Sequence, residues 1–265
     1  MVRRARLDAE LVRRGLARSR EHAVALIAEG RVAVSGRAAN KPATGVDANT
    51  PVVVRTDPDR PSWVSRGAHK LLGALEAFPV PVEGRRALDA GASTGGFTEV
   101  LLRRGAREVV AVDVGYGELA WSLRTDERVT VLERTNVRTL TPEQAGGPVD
   151  LVVADLSFIS LRLVLPALIA CATGEADLLP MVKPQFEVGK ERLPAGGVVR
   201  DPALRAEAVR GVARTAAELG LGVRGVTASP LPGPSGNVEF FLWLQAGAPP
   251  LDEAALTAAV EAGPA

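Results

Sequence analysis

The stretch MVKPQFEVGK (181–190) holds two of only four lysines in a chain whose 32 basic residues are otherwise arginine. Lys183 closes an apolar run that reads as a buried strand. A guanidinium in a protein stays charged, whereas an amine can shed its proton when it is buried or set beside another cation. A chain that writes arginine almost everywhere else has a chemical reason to keep an ionisable amine here. Three more residues complete a set: Lys70 on the helix entering the large domain, Asp155 at the end of VDLVVADL, and Glu239 within PSGNVEFF. Two amines and two carboxylates at strand ends can hold a hydroxyl in place and move its proton. Lys70 favours a neutral Lys183 and the carboxylates favour its ammonium, so a base role and a purely orienting role both stay open.

A second group of residues suggests a cofactor. LDAGASTGGFTEVLL (88–102) reads as a strand end, a glycine turn and the opening of a helix. Glycines let a backbone pass close to a ligand, with a helix N-terminus just beyond. Gly91, Ala92, Ser93, Thr94 and Gly95 are the candidate contacts. Asp113, ending the next strand, can accept both ribose hydroxyls of a nucleoside. The dinucleotide fingerprint G-x-G-x-x-G is absent, and Phe97 stands where a phosphate-binding loop carries its lysine. A glycine loop lacking both phosphate signatures suits S-adenosylmethionine, whose cationic sulfonium Asp155 can also serve. The same glycines would equally suit plain turns in any α/β fold. Asn136, in LERTNVR, is placed for the adenine edge. Phe158 has two readings: a platform for an unpaired base, or a core residue under a helix.

These residues need a parallel sheet to bring them together. From about residue 67 strands and helices alternate, which is the pattern of a Rossmann-like α/β domain. Strands are predicted at 86–91, 108–114, 128–133, 149–156 and 177–184, and helices at 67–77, 96–104, 160–171 and 201–219. GVRGVTASP and NVEFFLWLQ have no helix between them and should pair antiparallel at one sheet edge, giving a mostly parallel seven-stranded sheet. Before it, helical periodicity over 7–16 and 19–29 and short strands at 31–36 and 51–56 describe a small α+β module. Ser19 is its predicted N-cap, and Gly15 and Gly30 its helix stops. The predicted division is 1–59, a linker at 60–66 anchored by Trp63, a catalytic domain at 67–246, and a partly ordered tail at 247–265.

Charge divides along the same line. Residues 1–60 carry 12 Lys/Arg against 7 Asp/Glu, whereas 61–265 carry 20 against 24. A basic arm on a mildly acidic body points to a polyanionic partner. One cysteine, Cys171, placed mid-helix, excludes an internal disulfide and argues for a cytoplasmic protein. No cluster of Cys, His or carboxylates has metal-ligand spacing. No signal-peptide core opens the chain, and LVLPALIACAT (163–173) is too short to span a bilayer.

The wording of the arm, RLDAELVRRGLARSREHAVALIAEGRVAVSGRAANKP, resembles the alpha-L RNA-binding fold of a ribosomal small-subunit protein. That resemblance implies a phosphate-contacting face of Arg3, Arg4, Arg6, Arg18, Arg20 and Lys41. Lys70, Asp155, Lys183 and Glu239 resemble the Lys–Asp–Lys–Glu tetrad of ribose 2′-O-methyltransferases related to FtsJ. With WVSRGAHKL, VDVGYGELAWSLR, DLSFISL, VKPQFEVGK, GGVVRDP and GPSGNVEF in order, the whole chain resembles the bacterial TlyA family. The resemblance implies an S-adenosylmethionine-dependent methyltransferase acting on the ribose 2′-hydroxyl of cytidine in 16S or 23S rRNA. Ribosomal subunits become the expected partner, and the enzyme the expected monomer. Three rivals remain: a membrane-active hemolysin, an RNA-binding protein with an inactive catalytic domain, and an NAD-dependent oxidoreductase. Base methylation is a fourth, though it usually needs an aromatic clamp or a nucleophilic cysteine.

Overall fold

The computed structural model describes residues 5–17, 20–55 and 63–264. The chain separates into two compact units, Met1–Ser62 and Trp63–Ala265. Arg3, Arg4 and Arg18, the predicted cap Ser19 and residues 60–62 of the predicted linker lie outside the described residues.

In the first unit β1 (Ala5–Arg6) runs directly into α1 (Leu7–Arg13), followed by α2 (Arg20–Ala28). Then come β2 (Val32–Val34), β3 (Arg37–Ala38), β4 (Gly45–Val46) and β5 (Val52–Val54). Leu7 and Leu11 of α1 bury against Ala23, Leu26 and Ile27 of α2, and Val32 and Val46 close this small core. The helical spacing of these apolar residues is what makes the two helices pack. Gly15 and Gly30 follow their helices at φ +70° and +69°, the left-handed conformation that stops a helix cheaply only at glycine. The strands form sheets ordered β3-β2-β5 and β1-β4. The two-residue strands β1, β3 and β4 are too short to leave a period-2 signal in the sequence.

The second unit begins at Trp63, whose ring lies under the Arg103 guanidinium at 4.2 Å. Its elements are α3 (Gly67–Ala77), β6 (Arg86–Ala90), α4 (Gly96–Arg103), β7 (Glu108–Val112), α5 (Trp121–Arg124), β8 (Val129–Leu132) and β9 (Val149–Ala154). They continue as α6 (Leu161–Ala170), β10 (Ala172–Val182), α7 (Pro184–Glu187), α8 (Pro202–Glu218), β11 (Leu221–Ala228), β12 (Phe240–Ala246) and α9 (Glu253–Glu261). Runs such as VVAV and LVVA have no polar alternation because their strands are covered on both faces. Leu88, Val110 and Val152 face α6, α8 and α9, while Ala87, Val109 and Leu151 face α3 and α4. The sheet order is β11-β12-β10-β9-β6-β7-β8, with β12 antiparallel to both neighbours. The fold class is as the sequence indicates, and β11 rather than the last strand takes the edge. Among the described residues no helix is long and apolar enough to cross a membrane, and no cluster of side chains could hold a metal ion.

Two expectations need correction. Cys171 is not mid-helix: it caps the C-terminus of α6 and is fully buried. The predicted tail is not loosely ordered either. Asp252 accepts from the backbone N–H of Ala254 at 2.8 Å and starts α9, which buries Leu256, Ala259 and Val260 in the main core. Three apolar residues among alanines gave too weak a period to read. Leu256→Ala should therefore lower the unfolding free energy by about 2–4 kcal/mol, as for a leucine truncated in a packed core. Urea unfolding of the two proteins checks this, and an unchanged midpoint would restore the tail.

Candidate active site

Two clefts open at the carboxyl ends of the parallel strands. The larger, about 490 Å³, is walled by Gly91, Ser93, Asp113, Glu118, Asn136 and the loop after β9. The smaller, about 280 Å³, is walled by Ser65, Arg66, Lys70, Thr94, Lys183 and Pro234. Gly91, Ser93, Asp155 and Ser157 belong to both. Their chemistry is opposite. Asp113, Glu118 and Asp155 line the larger cleft, with no lysine or arginine among its described lining residues. Three cations, Arg66, Lys70 and Lys183, line the smaller.

The glycine loop has its shape because two positions admit nothing larger. Gly91 sits at φ +87°, and a Cβ there would lie 2.6 Å from the Asp155 carbonyl oxygen. Gly95 sits at φ +96°, and its Cβ would strike Leu123 and Leu119. Gly95 lines neither cleft, so its part is to turn the chain into α4. Ala92 and Thr94 line only the smaller cleft. Ser93, itself at φ +46°, donates its backbone N–H to Asp113 Oδ2 at 2.7 Å. Gly115 donates to Asp113 Oδ1, also at 2.7 Å. Each Asp113 oxygen keeps a second lone pair toward the cleft. Asn136 Oδ1 accepts from the Arg138 N–H at 3.0 Å and caps a short 3₁₀ turn, Val137–Thr139, which leaves its amide N–H₂ as the group to offer.

The four predicted catalytic residues come together as two ion pairs. β10 and β12 pair at Val182 and Phe240, so Lys183 and Glu239 stand one step beyond on adjacent strands. Lys183 Nζ lies 2.6 Å from Asp155 Oδ1 and donates to Ser157 Oγ at 2.8 Å. Lys70 Nζ donates to Glu239 Oε2 at 2.5 Å. Glu239 is 1% exposed and lies behind Lys70, outside both clefts. It therefore acts through that lysine. Charge holds the Lys183 ammonium to Asp155, and a hydrogen bond holds it to Ser157. Lys183 also lines the smaller cleft, where its remaining N–H donors can meet a ligand.

Phe158 is 92% exposed, at φ +64°. That removes the reading of a core residue; its ring lies against Phe186, with centroids 5.3 Å apart. Such a backbone is costly for a bulky residue and persists only when its surroundings enforce it. Glu187, which the sequence reading missed, fixes the residues that follow Phe158. It accepts from Ser160 Oγ at 2.6 Å and from the Leu161 N–H at 2.7 Å, clamping the loop on which Phe158 rides. Burial pushes its carboxyl above the ordinary range. Ser157, Glu118, Ser65 and Arg66 were missed as well, since single polar residues in loops carry no periodic signal. Arg6, Arg20 and Lys41 are exposed in the first unit.

Residues 63–246 match the family described as FtsJ-like methyltransferase, and residues 5–52 match the S4 domain. The chain is 69% identical over 245 residues to the Mycobacterium tuberculosis protein named 16S/23S rRNA (cytidine-2′-O)-methyltransferase TlyA, covering 92% of this chain and 91% of that one. It is 33% identical to Hemolysin A of Brachyspira hyodysenteriae, covering 89% of this chain and 97% of the relative. A solved structure from Streptococcus thermophilus, described as a hemolysin, superposes with a TM-score of 0.74 at 35% identity, covering 98% of this chain and 96% of the other.

One buried carboxylate beneath the loop also escaped the sequence reading. Asp89, two residues before Gly91, is wholly buried and accepts from Thr98 Oγ1 at 2.6 Å, while its Oδ1 has no partner. Burial, with Asp155 and Asp113 nearby, raises its pKa from 3.8 to about 7. Because the folded value is the higher one, the folded protein holds a proton that the unfolded chain has lost, and stability falls as pH rises between them. Asp89→Asn should flatten the decline in melting temperature from about pH 4 to about pH 7 and be the more stable protein above that range. Parallel curves for the two proteins would show that Asp89 ionises normally.

Proposed function

This chain belongs to the TlyA family, an S4 domain joined to an FtsJ-like methyltransferase domain, and from that premise we propose that it methylates the ribose 2′-hydroxyl of cytidine in 16S or 23S rRNA, using S-adenosylmethionine. The observation that carries the reading is the junction of an acidic cleft and a basic cleft at Asp155. S-adenosylmethionine has no phosphate and bears a sulfonium cation, so a cleft lined by three carboxylates and no lysine or arginine suits it and disfavours a pyrophosphate cofactor. Asp113 would hold the ribose hydroxyls, Asn136 would donate to the adenine ring, and Leu156 and Ile159 would cover its faces. When bound, the cofactor supplies an electrophilic methyl group. A cationic neighbour also gives Asp89 and Asp155 a reason to lie so close together.

The basic cleft takes the RNA. Lys183 presents its amine to the 2′-hydroxyl and fixes the oxygen in line, the kind of orientation that lowers a barrier by several kcal/mol. Asp155 holds Lys183 and lies on the wall shared with the acidic cleft, so it can receive the proton directly or through the lysine as the hydroxyl oxygen is alkylated. Lys70, backed by Glu239, keeps a second cation beside the target phosphate or ribose. Phe158 offers a face for stacking the extruded base. Arg6, Arg20 and Lys41 supply sequence-independent affinity for the rRNA backbone, joined by Arg3, Arg4 and Arg18 of the same basic segment. The enzyme would work in the cytoplasm, where ribosomal subunits are found, and as a monomer.

Incubating the protein with S-adenosylmethionine and ribosomal subunits, then resolving the rRNA nucleosides by mass spectrometry, tests the assignment; methyl found only on bases or on no nucleoside would sink it. Lys183→Arg should be nearly as damaging as Lys183→Ala, with single-turnover transfer down at least about a hundredfold, because a planar guanidinium neither takes the proton nor reproduces the amine's direction. Near-normal transfer by the arginine variant would remove the amine from the chemistry. Asp113→Ala should weaken S-adenosylmethionine binding by about 1.5–3 kcal/mol in isothermal titration, the range for hydrogen bonds to a charged group. RNA affinity should stay unchanged, and equal cofactor affinity would place the ribose elsewhere.

A further inference from the structure

We infer that Asp8 is a positioning residue that joins Arg6 and Arg20 into one clamp for a single RNA phosphodiester. The inference rests on the reading of the first unit as the RNA-binding part of the protein. Arg6 precedes α1, Asp8 is the second residue of that helix, and Arg20 begins α2. All three meet at one carboxylate. Asp8 Oδ1 accepts from Arg6 Nε at 3.0 Å and from the Ala9 N–H at 2.8 Å. Asp8 Oδ2 accepts from Arg6 Nη2 at 2.9 Å and from Arg20 Nη2 at 3.0 Å. Those four bonds fill the carboxylate's acceptor sites. It holds two guanidinium groups and has nothing left for a third.

Burial separates the support from what it supports. The Asp8 side chain is 3% exposed, whereas those of Arg6 and Arg20 are 52% and 61% exposed. Two cations on one anion leave net positive charge at the surface. The outward N–H groups of both arginines have no partner among the described residues. Their Nη2 atoms share a single oxygen, so the two groups lie within the span of one phosphate rather than at separate sites along the backbone. Arg14 in the same helix hairpin shows the contrasting case. It pairs with Glu10 and donates onward to the carbonyls of Thr50, Asp47 and Ala48, which commits four of its five N–H donors to the fold itself. The Asp8 cluster stops one step short of that, with its donors aimed outward. A guanidinium fork held flat by a buried carboxylate loses little rotamer freedom on meeting an oxyanion, and this favours binding.

This arrangement makes a prediction opposite in sign to simple charge counting. Removing the negative charge of Asp8 ought to tighten binding to a polyanion if Arg6 and Arg20 act as independent charges. If Asp8 builds the clamp, Asp8→Asn weakens binding severalfold. The experiment uses the full chain and purified ribosomal subunits, with Kd measured between about 50 and 200 mM KCl for Arg6→Ala, Arg20→Ala, the double variant and Asp8→Asn. Each arginine variant should bind about tenfold more weakly, the double variant no more than about twofold below the weaker single, and its salt slope should fall by about one unit rather than two. Additive losses, or an Asp8→Asn protein that binds as well as or better than the parent, overturn the clamp while leaving the RNA-binding reading intact. Unchanged Kd in both arginine variants overturns that reading and the clamp with it. Melting temperature is followed throughout, and if Asp8→Asn does not fold, the arginine cycle alone still decides between one site and two.

Discussion

At the centre of this protein two backbones come too close for a side chain. Gly91 directly follows β6 and Asp155 directly follows β9, and a Cβ on Gly91 would lie 2.6 Å from the Asp155 carbonyl oxygen. Because the two strands are direct neighbours in the sheet, this contact draws the glycine loop and the loop after β9 onto one rim. Everything chemical follows from it. The walls of the two clefts coincide there, Asp155 becomes common to both, and Lys183 on the next strand reaches the same carboxylate from the far side. A wider separation would leave a nucleoside cleft and a cationic cleft with a ridge between them.

The junction also explains why the acidic and basic residues do not simply neutralise one another. Each lysine of the tetrad has its own carboxylate, Lys183 with Asp155 and Lys70 with Glu239. A buried pair of this kind contributes little net stability, because desolvation offsets most of the attraction. What it supplies is direction. Lys70 cannot turn away while Glu239 holds it, and Lys183 is fixed by the charge of Asp155 and by its bond to Ser157. The arrangement in the first unit obeys the same logic on an exposed face, where Asp8 and Glu10 are buried and the arginines around them are not.

Much of this was legible in the sequence. Apolar runs without alternation gave the central strands, and the rarity of lysine singled out Lys183 and Lys70. The glycine loop and Asp113 marked residues that the structure sets on the wall of the acidic cleft. What stayed hidden depended on the third dimension. Glu239 could be named but not seen to sit behind Lys70, since strand pairing alone decides which side chain reaches the cleft. Ser157 and Glu187 act through hydrogen bonds to residues 26 or 27 positions away, a distance at which sequence carries no trace. Asp89 looked like an ordinary polar residue in a strand, because its burial is set by the helices covering it. Phe158 was ambiguous until its left-handed backbone put the ring in solvent.

The place of β12 has a consequence for how the protein comes into being. It is the last strand of the sheet to be synthesised, yet it lies inside the sheet, between β10 and β11. Until it arrives, β10 presents an open edge and β11 has no hydrogen-bonded neighbour in the sheet. Such edges are sites of mispairing, and closing them last over a long sequence separation is slow. The first unit has no comparable wait, since its strands pair within a few dozen residues. A growing chain would thus display its basic face well before Glu239 and Lys183 are brought side by side. The order of translation therefore separates attraction to a polyanion from the capacity to act on it, and exposes an aggregation-prone intermediate for as long as β12 is missing.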